Sequence, residues 1–353
     1  MATCTLSASA TWTQVLAGTN IDAVPANNDT VALNGYALTF DIVPTVTGIE
    51  VTAVGNAGTV VFPAGTTVWP FTGWVFRTGT VVLCATINTG NTVGGTWWAS
   101  NSTHAIRAIT TNNGTLTGVL NAGSVANADG LGTNGVTGVV SGEIRANTNG
   151  TSGGHGCTTN NGLISGPVYG GVGSRGVTTN SGIITGNVYG GASGVGVQSN
   201  TGFIHGNLIG YPSGSPTTAG AAVSDNTGII TGSITAGAGS AHGIITMLRG
   251  AIITLSGVMT DGPTSAKVIS VMGNNAIQAP IMVVRGANMQ GTIPAGFSTI
   301  YHIGAIAGTI GGSPTMVELF EAGGSSPIRR VFRVENSPLN VPPIGRIIAT
   351  ALQ

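Results

Sequence analysis

The feature that most constrains this chain is a line it writes several times over. TTNNGLISGPVYGG at 158–171 returns twenty residues later as TTNSGIITGNVYGG at 178–191. Taking the Gly of N-x-G as an anchor, copies fall at Gly114, Gly138, Gly162, Gly182, Gly202 and Gly228, spaced 24, 24, 20, 20 and 26 residues apart. A degenerate further line, ITLSGVM, begins at Ile253. Units of this length cannot bury an apolar face alone and must stack on their neighbours.

The columns of the repeat say how they stack. Two places after the anchor stand Leu116, Val140, Ile164, Ile184, Ile204 and Ile230; six places after stand Leu120, Ile144, Val168, Val188, Leu208 and Ile234. Between them, at inward parity, every copy has glycine: Gly118, Gly142, Gly166, Gly186, Gly206 and Gly232. The intervening columns are variable and mostly polar, so the alternation has the period of two that marks a strand with one buried face. A glycine at inward parity implies a bend or a close backbone approach. A second apolar column lies five before the anchor, at Ile109, Cys157, Val177, Val197 and Val223, with Thr133 as its weak point. Hairpins would run the same column in opposite directions in adjacent copies, whereas a coil that returns to the same place lays like on like. The sequence therefore predicts an all-β fold, a parallel β-helix with coils of 20–26 residues, right-handed by the general preference of parallel connections.

Two places before the anchor stand Asn112, Asn160, Asn180, Asn200 and Asn226, with Val136 as the exception. Asparagine tolerates turn conformations and bonds adjacent backbone. Stacked at a corner, these side chains are expected to bond up and down a ladder and hold the coils in register. Their role is read as structural.

The flanks lack the period. Residues 1–105 read as an irregular β region, an amino-terminal cap or attachment segment, with an Asn34-Gly35 turn signal. Trp12, Trp69, Trp74, Trp97 and Trp98 all lie there. Their expected place is a cap or core that covers the first coil and its bare strand edges; a sugar-stacking platform is the alternative. Residues 106–261 carry the coils. Residues 262–353 read as a further β region, with more coils and a tail that gathers Arg329, Arg330, Arg333 and Arg346. That cluster is either a docking surface or a solvated terminal strand.

Composition removes several function classes. Only 6% of residues are charged, 59 of 353 are glycine, and the formal net charge is zero. Helical and α/β enzymes need far more charge and far less glycine, while the wealth of aliphatic residues argues against disorder. No basic stripe is present to displace counterions, so a nucleic-acid partner is not expected. No signal sequence or apolar run long enough to span a membrane is apparent, and membrane insertion is not expected. Cys4, Cys84 and Cys157 lack metal-ligand spacing and read as three small buried thiols, so no cofactor or metal is expected.

Catalytic constellations are thin. Polysaccharide hydrolysis uses paired carboxylates, yet Asp129, Glu143, Asp225 and Asp261 come from different columns. Arg145 and Arg175 lack the acidic company of a lyase site. His205 takes an outward Thr/Ser place and reads as a surface residue. Cys157 belongs to the buried column, beside His155. Tyr169 and Tyr189 occupy one outward column between Arg145 and Ile209, as a side-chain ladder or a short glycan contact. Thr158–Thr159 and Thr178–Thr179 hint at an ice-binding array, interrupted by Gln198–Ser199 and Ser224–Asp225.

The N-x-G-x-[IVL]-[TS]-G-x-[IVL] lines from 112 to 234, with NDTVALNGYALTFD at 28–41, resemble β-helical tail fibres, tailspikes and decoration proteins of bacteriophages. Secreted β-helix adhesins share the pattern. The resemblance implies a homo-oligomer, a trimer foremost, built in the host cytoplasm into a virion, with other virion proteins at one end and a host surface glycan at the other. The function expected is that of a non-enzymatic virion structural protein, a fibre, spike or capsid-surface decoration. A secreted adhesin or carbohydrate-binding protein, and a polysaccharide-degrading tailspike, are the alternatives.

Overall fold

A computed structural model describes residues 1–53, 56–78, 83–99, 106–123, 128–147, 154–211, 220–238 and 241–247, and beyond these the backbone of strands from Ile252–Leu255 to Ile328–Phe332. The chain divides into two compact units, Met1–Ile183 and Ile184–Gln353. Each is a parallel β-helix.

In the first unit three parallel sheets form the walls. The first sheet runs from Thr3–Thr5 through Thr30–Ala32, Glu50–Ala53, Val75–Thr78, Thr96–Trp98, Val119–Asn121 and Ile144–Arg145 to Val168–Tyr169. The second runs from Val68–Trp69 through Thr92–Val93, Thr115–Leu116 and Val139–Val140 to Leu163–Ile164. The third runs from Ala10–Thr11 to Val177–Asn180 and contains Leu83–Ile87, Ile106–Asn112, Ala128–Asn134 and Cys157–Asn160. Pairing follows the repeat columns: Leu116 sits opposite Val140, Val140 opposite Ile164, Leu120 opposite Ile144 and Ile144 opposite Val168. All of these side chains are fully buried. Each contributes on the order of 1.5–3 kcal/mol of apolar burial, set against the entropy of ordering a glycine-rich chain.

Two irregularities of the sequence columns resolve together. Leu131 pairs with Ile109 and with Cys157, so Leu131 fills the inward place that the anchor count assigns to Thr133. Asn134 pairs with Asn112 and Asn160 and fills the place assigned to Val136. The coil carries two extra residues between this asparagine and its anchor. They form a tight turn in which the Gly138 N–H donates to the Gly135 carbonyl at 2.8 Å, leaving Val136 82% exposed.

The boundary expected at 105–106 is crossed by all three sheets. Thr96–Trp98 pairs with Val119–Asn121, Thr92–Val93 with Thr115–Leu116, and Thr86 and Ile87 pair with Thr111 and Asn112. The amino-terminal region is thus irregular in coil length and wound into the same walls. Four of its tryptophans, Trp12, Trp69, Trp74 and Trp97, lie in the core with Phe40, Phe62, Phe71 and Phe76. Phe76 stacks on Trp97 at 4.0 Å between ring centroids, and Phe40 meets Phe71 edge-on at 4.8 Å. Trp98, one place on, is 39% exposed. Among the described residues the one α-helix is Trp12–Leu16, started by a capping box between Thr11 and Gln14 that folds Trp12 and Val15 inward.

The second unit repeats the pattern. Val197–Asn200 pairs with Val223–Asn226 and that with Ile244–Met247; Phe203–Ile204 pairs with Ile229–Ile230; Leu208–Ile209 pairs with Ile234–Thr235. Parallel coils continue past residue 262, through Ile281–Arg285, Thr299–Ile303 and Met316–Glu321. The last described strand, Ile328–Phe332, turns back and pairs antiparallel with Met316–Glu321.

Candidate functional site

Among the described residues the asparagine column forms a buried side-chain ladder. In the first unit the Asn112 amide donates to Asn134 Oδ1 at 2.9 Å, Asn134 to Asn160 at 2.8 Å, and Asn160 to Asn180 at 2.6 Å. In the second unit Asn200 donates to Asn226 at 2.6 Å. All of them are fully buried. Each lies at the end of a third-sheet strand, where the chain turns into the second sheet, and the amides also reach turn carbonyls such as Gly138 and Leu163. A buried polar side chain is tolerated when its partners are complete, and here each partner is the same residue one coil away. The preceding coil offers Ile87 opposite Asn112, so Asn112 Oδ1 is buried with no hydrogen-bond partner among the described residues. The ladder has a defined first member.

The glycine column explains the next corner, between second and first sheets. A Cβ on Gly118 would overlap the Gly95 carbonyl oxygen; on Gly142 and Gly166 it would overlap the carbonyls of Gly118 and Gly142. In the second unit Gly206 faces Gly186 and Gly232 faces Gly206 in the same way. Backbone stacks on backbone here, and no side chain fits.

Among the described residues, Arg107, Asp129, His155 and Arg175 come together along the third sheet of the first unit. Asp129 Oδ1 accepts the His155 N–H at 3.0 Å and its Oδ2 the Thr158 hydroxyl at 2.7 Å, with Arg107 Nε 3.6 Å away. The carboxylate side chain is 3% exposed. Arg175 approaches the His155 ring at both nitrogens, its N–H 3.3 Å from Nδ1 and its Nη1 3.2 Å from Nε2. A neutral imidazole has one lone pair to offer these two donors, and an imidazolium has none. Burial, with the Arg175 charge adding to it and Asp129 opposing, accordingly holds His155 below its ordinary 6.5. Cys157 is fully buried and its thiol is pushed up to about 12 by desolvation.

These facts place the sequence candidates. Asp129 spends both oxygens on neighbouring coils. Glu143 is held by Arg145, with Oε2 2.7 Å from both Nε and Nη2. The other carboxylates of the first unit are engaged as well: Asp22, Asp29 and Asp41 accept backbone N–H groups, and Glu50 pairs with Arg77 at 3.5 Å. Asp225 is half-buried in the second unit, opposite Ser199 and Thr246. Asp261 lies outside the described residues. His205 is exposed, 2.8 Å from the Thr231 hydroxyl and beside Phe203. Among the described residues no group of three or more His, Cys, Asp or Glu could hold a metal ion, and no helix is long and apolar enough to cross a membrane. The threonines at 158–159 and 178–179 are half-buried, Thr158 being tied to Asp129.

Tyr169 stands opposite Arg145, whose guanidinium lies 5.4 Å from its ring centroid. In the second unit Tyr189 stands opposite Ile209 and its hydroxyl accepts from Asn187 at 3.3 Å. Arg329 and Arg330 lie on the terminal antiparallel strand, opposite Phe320 and Leu319; Arg333 lies outside the described residues. Sequence reasoning missed that Trp98 and Arg77 share the outward column of Arg145 and Tyr169. The pair Trp97-Trp98 held the signal, because alternation must turn one of two adjacent residues outward. No protein-family model matches the chain, and neither a curated protein nor a solved structure matches it.

Proposed function

We propose that this chain is a non-enzymatic structural protein of a virion, a β-helical fibre, spike or capsid-surface decoration that takes part in attachment to a host surface. The observation that carries the reading is how the polar residues are used. The asparagine and glycine columns stack one coil on the next, and each carboxylate of the first unit is engaged, Asp129 and Glu50 across coils and Glu143 by Arg145 on its own coil, which suits a scaffold. The resemblance of the repeat lines to phage fibres and tailspikes supports the particle, and adds a homotrimer in contact with other virion proteins.

The test is peptide mass spectrometry of density-gradient-purified particles from the producing culture. Peptides of this chain that co-band with capsid protein support the reading. Their presence in the secreted fraction alone favours the adhesin instead. Shortening of a capsular polysaccharide by the purified protein would favour the degrading tailspike. A native mass of three chains is the expected oligomer.

A further inference from the structure

One outward column of the first unit combines arginines with aromatic rings. Along the first sheet, Arg77, Trp98, Asn121, Arg145 and Tyr169 are successive register partners. At the strand spacing of about 4.8 Å the column from Arg77 to Tyr169 extends about 19 Å, and its two aromatic rings stand about 14 Å apart. Each ring is covered on one face by the arginine of the preceding coil: Arg77 Cζ lies 4.9 Å from the Trp98 centroid and Arg145 Cζ 5.4 Å from that of Tyr169. The guanidiniums cover one face of each ring, while Trp98 is 39% exposed and Tyr169 half-buried.

The charges on this face cancel. Arg77 is paired with Glu50 and Arg145 with Glu143, and all four side chains are between 31% and 50% exposed. Arg77 Nε is enclosed and has no hydrogen-bond partner among the described residues, the contact with Glu50 at 3.5 Å being an ion pair without hydrogen-bond geometry. The face therefore offers two aromatic rings, the Asn121 amide between them, and guanidinium donors beside carboxylate acceptors, with no net charge.

We propose that this column is a binding strip for a net-neutral polysaccharide lying across the coils. A hydroxyl-rich chain finds donors and acceptors in alternation along the strip, and its C–H faces find the rings. An anionic polymer gains nothing from a face whose arginines are already neutralised. A protein partner would want a continuous apolar core, and here polar side chains separate the rings. The strip rests on the surface-attachment reading and names the chemistry of the surface.

The test uses the full chain on an array of neutral and anionic bacterial surface polysaccharides, followed by titration of the neutral polymer bound most strongly. Trp98→Ala and Tyr169→Ala are each expected to weaken binding about tenfold or more, with unchanged circular dichroism and melting temperature. Trp98→Phe keeps a ring and is expected to stay within about threefold of the parent, and Phe203→Ala, in the second unit, to bind as the parent does. The proposal is overturned if no neutral polysaccharide binds, if binding is confined to anionic polymers and vanishes with salt, or if both alanine variants bind like the parent. Particle association without glycan binding would remove the strip and leave the structural reading standing.

Discussion

Removing one rung of the asparagine ladder tests the packing logic of the coils quantitatively. Asn160 is fully buried, accepts from Asn134 at 2.8 Å and donates to Asn180 at 2.6 Å, with a longer contact to the Ile183 carbonyl at 3.5 Å. Asn160→Ala deletes two good hydrogen bonds, each worth about 0.5–1.5 kcal/mol net, and removes a buried partner from the amide of one neighbour and the carbonyl of the other. The expected loss is about 2–4 kcal/mol. Asn112→Ala is the internal comparison. Its Oδ1 already lacks a partner, so the substitution deletes the bonds to Asn134 and to the Val139 carbonyl and relieves one buried unsatisfied atom. That loss is expected at about 1 kcal/mol. The assay is guanidinium unfolding followed by far-ultraviolet circular dichroism, with the slope compared between variants because coils can unfold separately. An Asn160→Ala variant within about 0.5 kcal/mol of the parent, or equal costs at both positions, would refute the reasoning.

Other outcomes follow from the same geometry. Gly142→Ala must push its Cβ into the Gly118 carbonyl, whose carbon would stand 2.6 Å away; a loss of about 1–3 kcal/mol in the same assay is expected, against under about 0.5 for the outward Ser141→Ala. His155 is held neutral in the folded chain, so the unfolded chain binds the extra proton first as pH falls below 6.5. The melting temperature is thus expected to be level above that value and to drop on acidification toward the depressed value, with the drop reduced in His155→Asn. Against the expectation of three buried thiols, Cys84 is exposed, because it takes an outward place on the alternating strand Leu83–Ile87, whereas Cys4 and Cys157 are buried with thiols pushed upward in pKa. One thiol per chain should therefore react quickly with a thiol reagent at neutral pH, and three after unfolding.

The coils at 106–261 were legible because each inward column holds one chemical type at a fixed distance from its anchor glycine. Between Thr3 and Val119 the register partners of the first sheet advance by 27, 20, 25, 21 and 23 residues, and before Gly114 the N-x-G triplets at 56–58 and 88–90 lack the full set of aliphatic and glycine columns that follows the anchors further on. The walls continue there through aromatic packing, which tolerates uneven coils, so this stretch read as a cap. Asn134 escaped the column count because its turn is two residues longer, though the Asn134-Gly135 dipeptide was a turn signal. The short helix carried its signal in Thr11 and Gln14, overlooked in a chain so poor in helix formers. Tyr169 reads as an outward ring from its repeat column, while Trp98 has no such column and stands in sequence among four tryptophans that fill the core. A residue type says that a ring wants burial; only the coil phase says which of two neighbours obtains it.

The central claim is that like columns lie side by side, parallel and in register, and disulfide trapping measures this directly. Val139 and Leu163 are outward register partners on adjacent coils of the second sheet, at about the 4.8 Å strand spacing and within the range a disulfide bridges. In a Cys84→Ser background, mild oxidation of the Val139→Cys, Leu163→Cys pair is expected to close an intramolecular bond in nearly all chains. The Val139→Cys, Ser165→Cys pair, two residues out of register, is expected to stay open. Closure of the second pair in preference to the first would contradict the account.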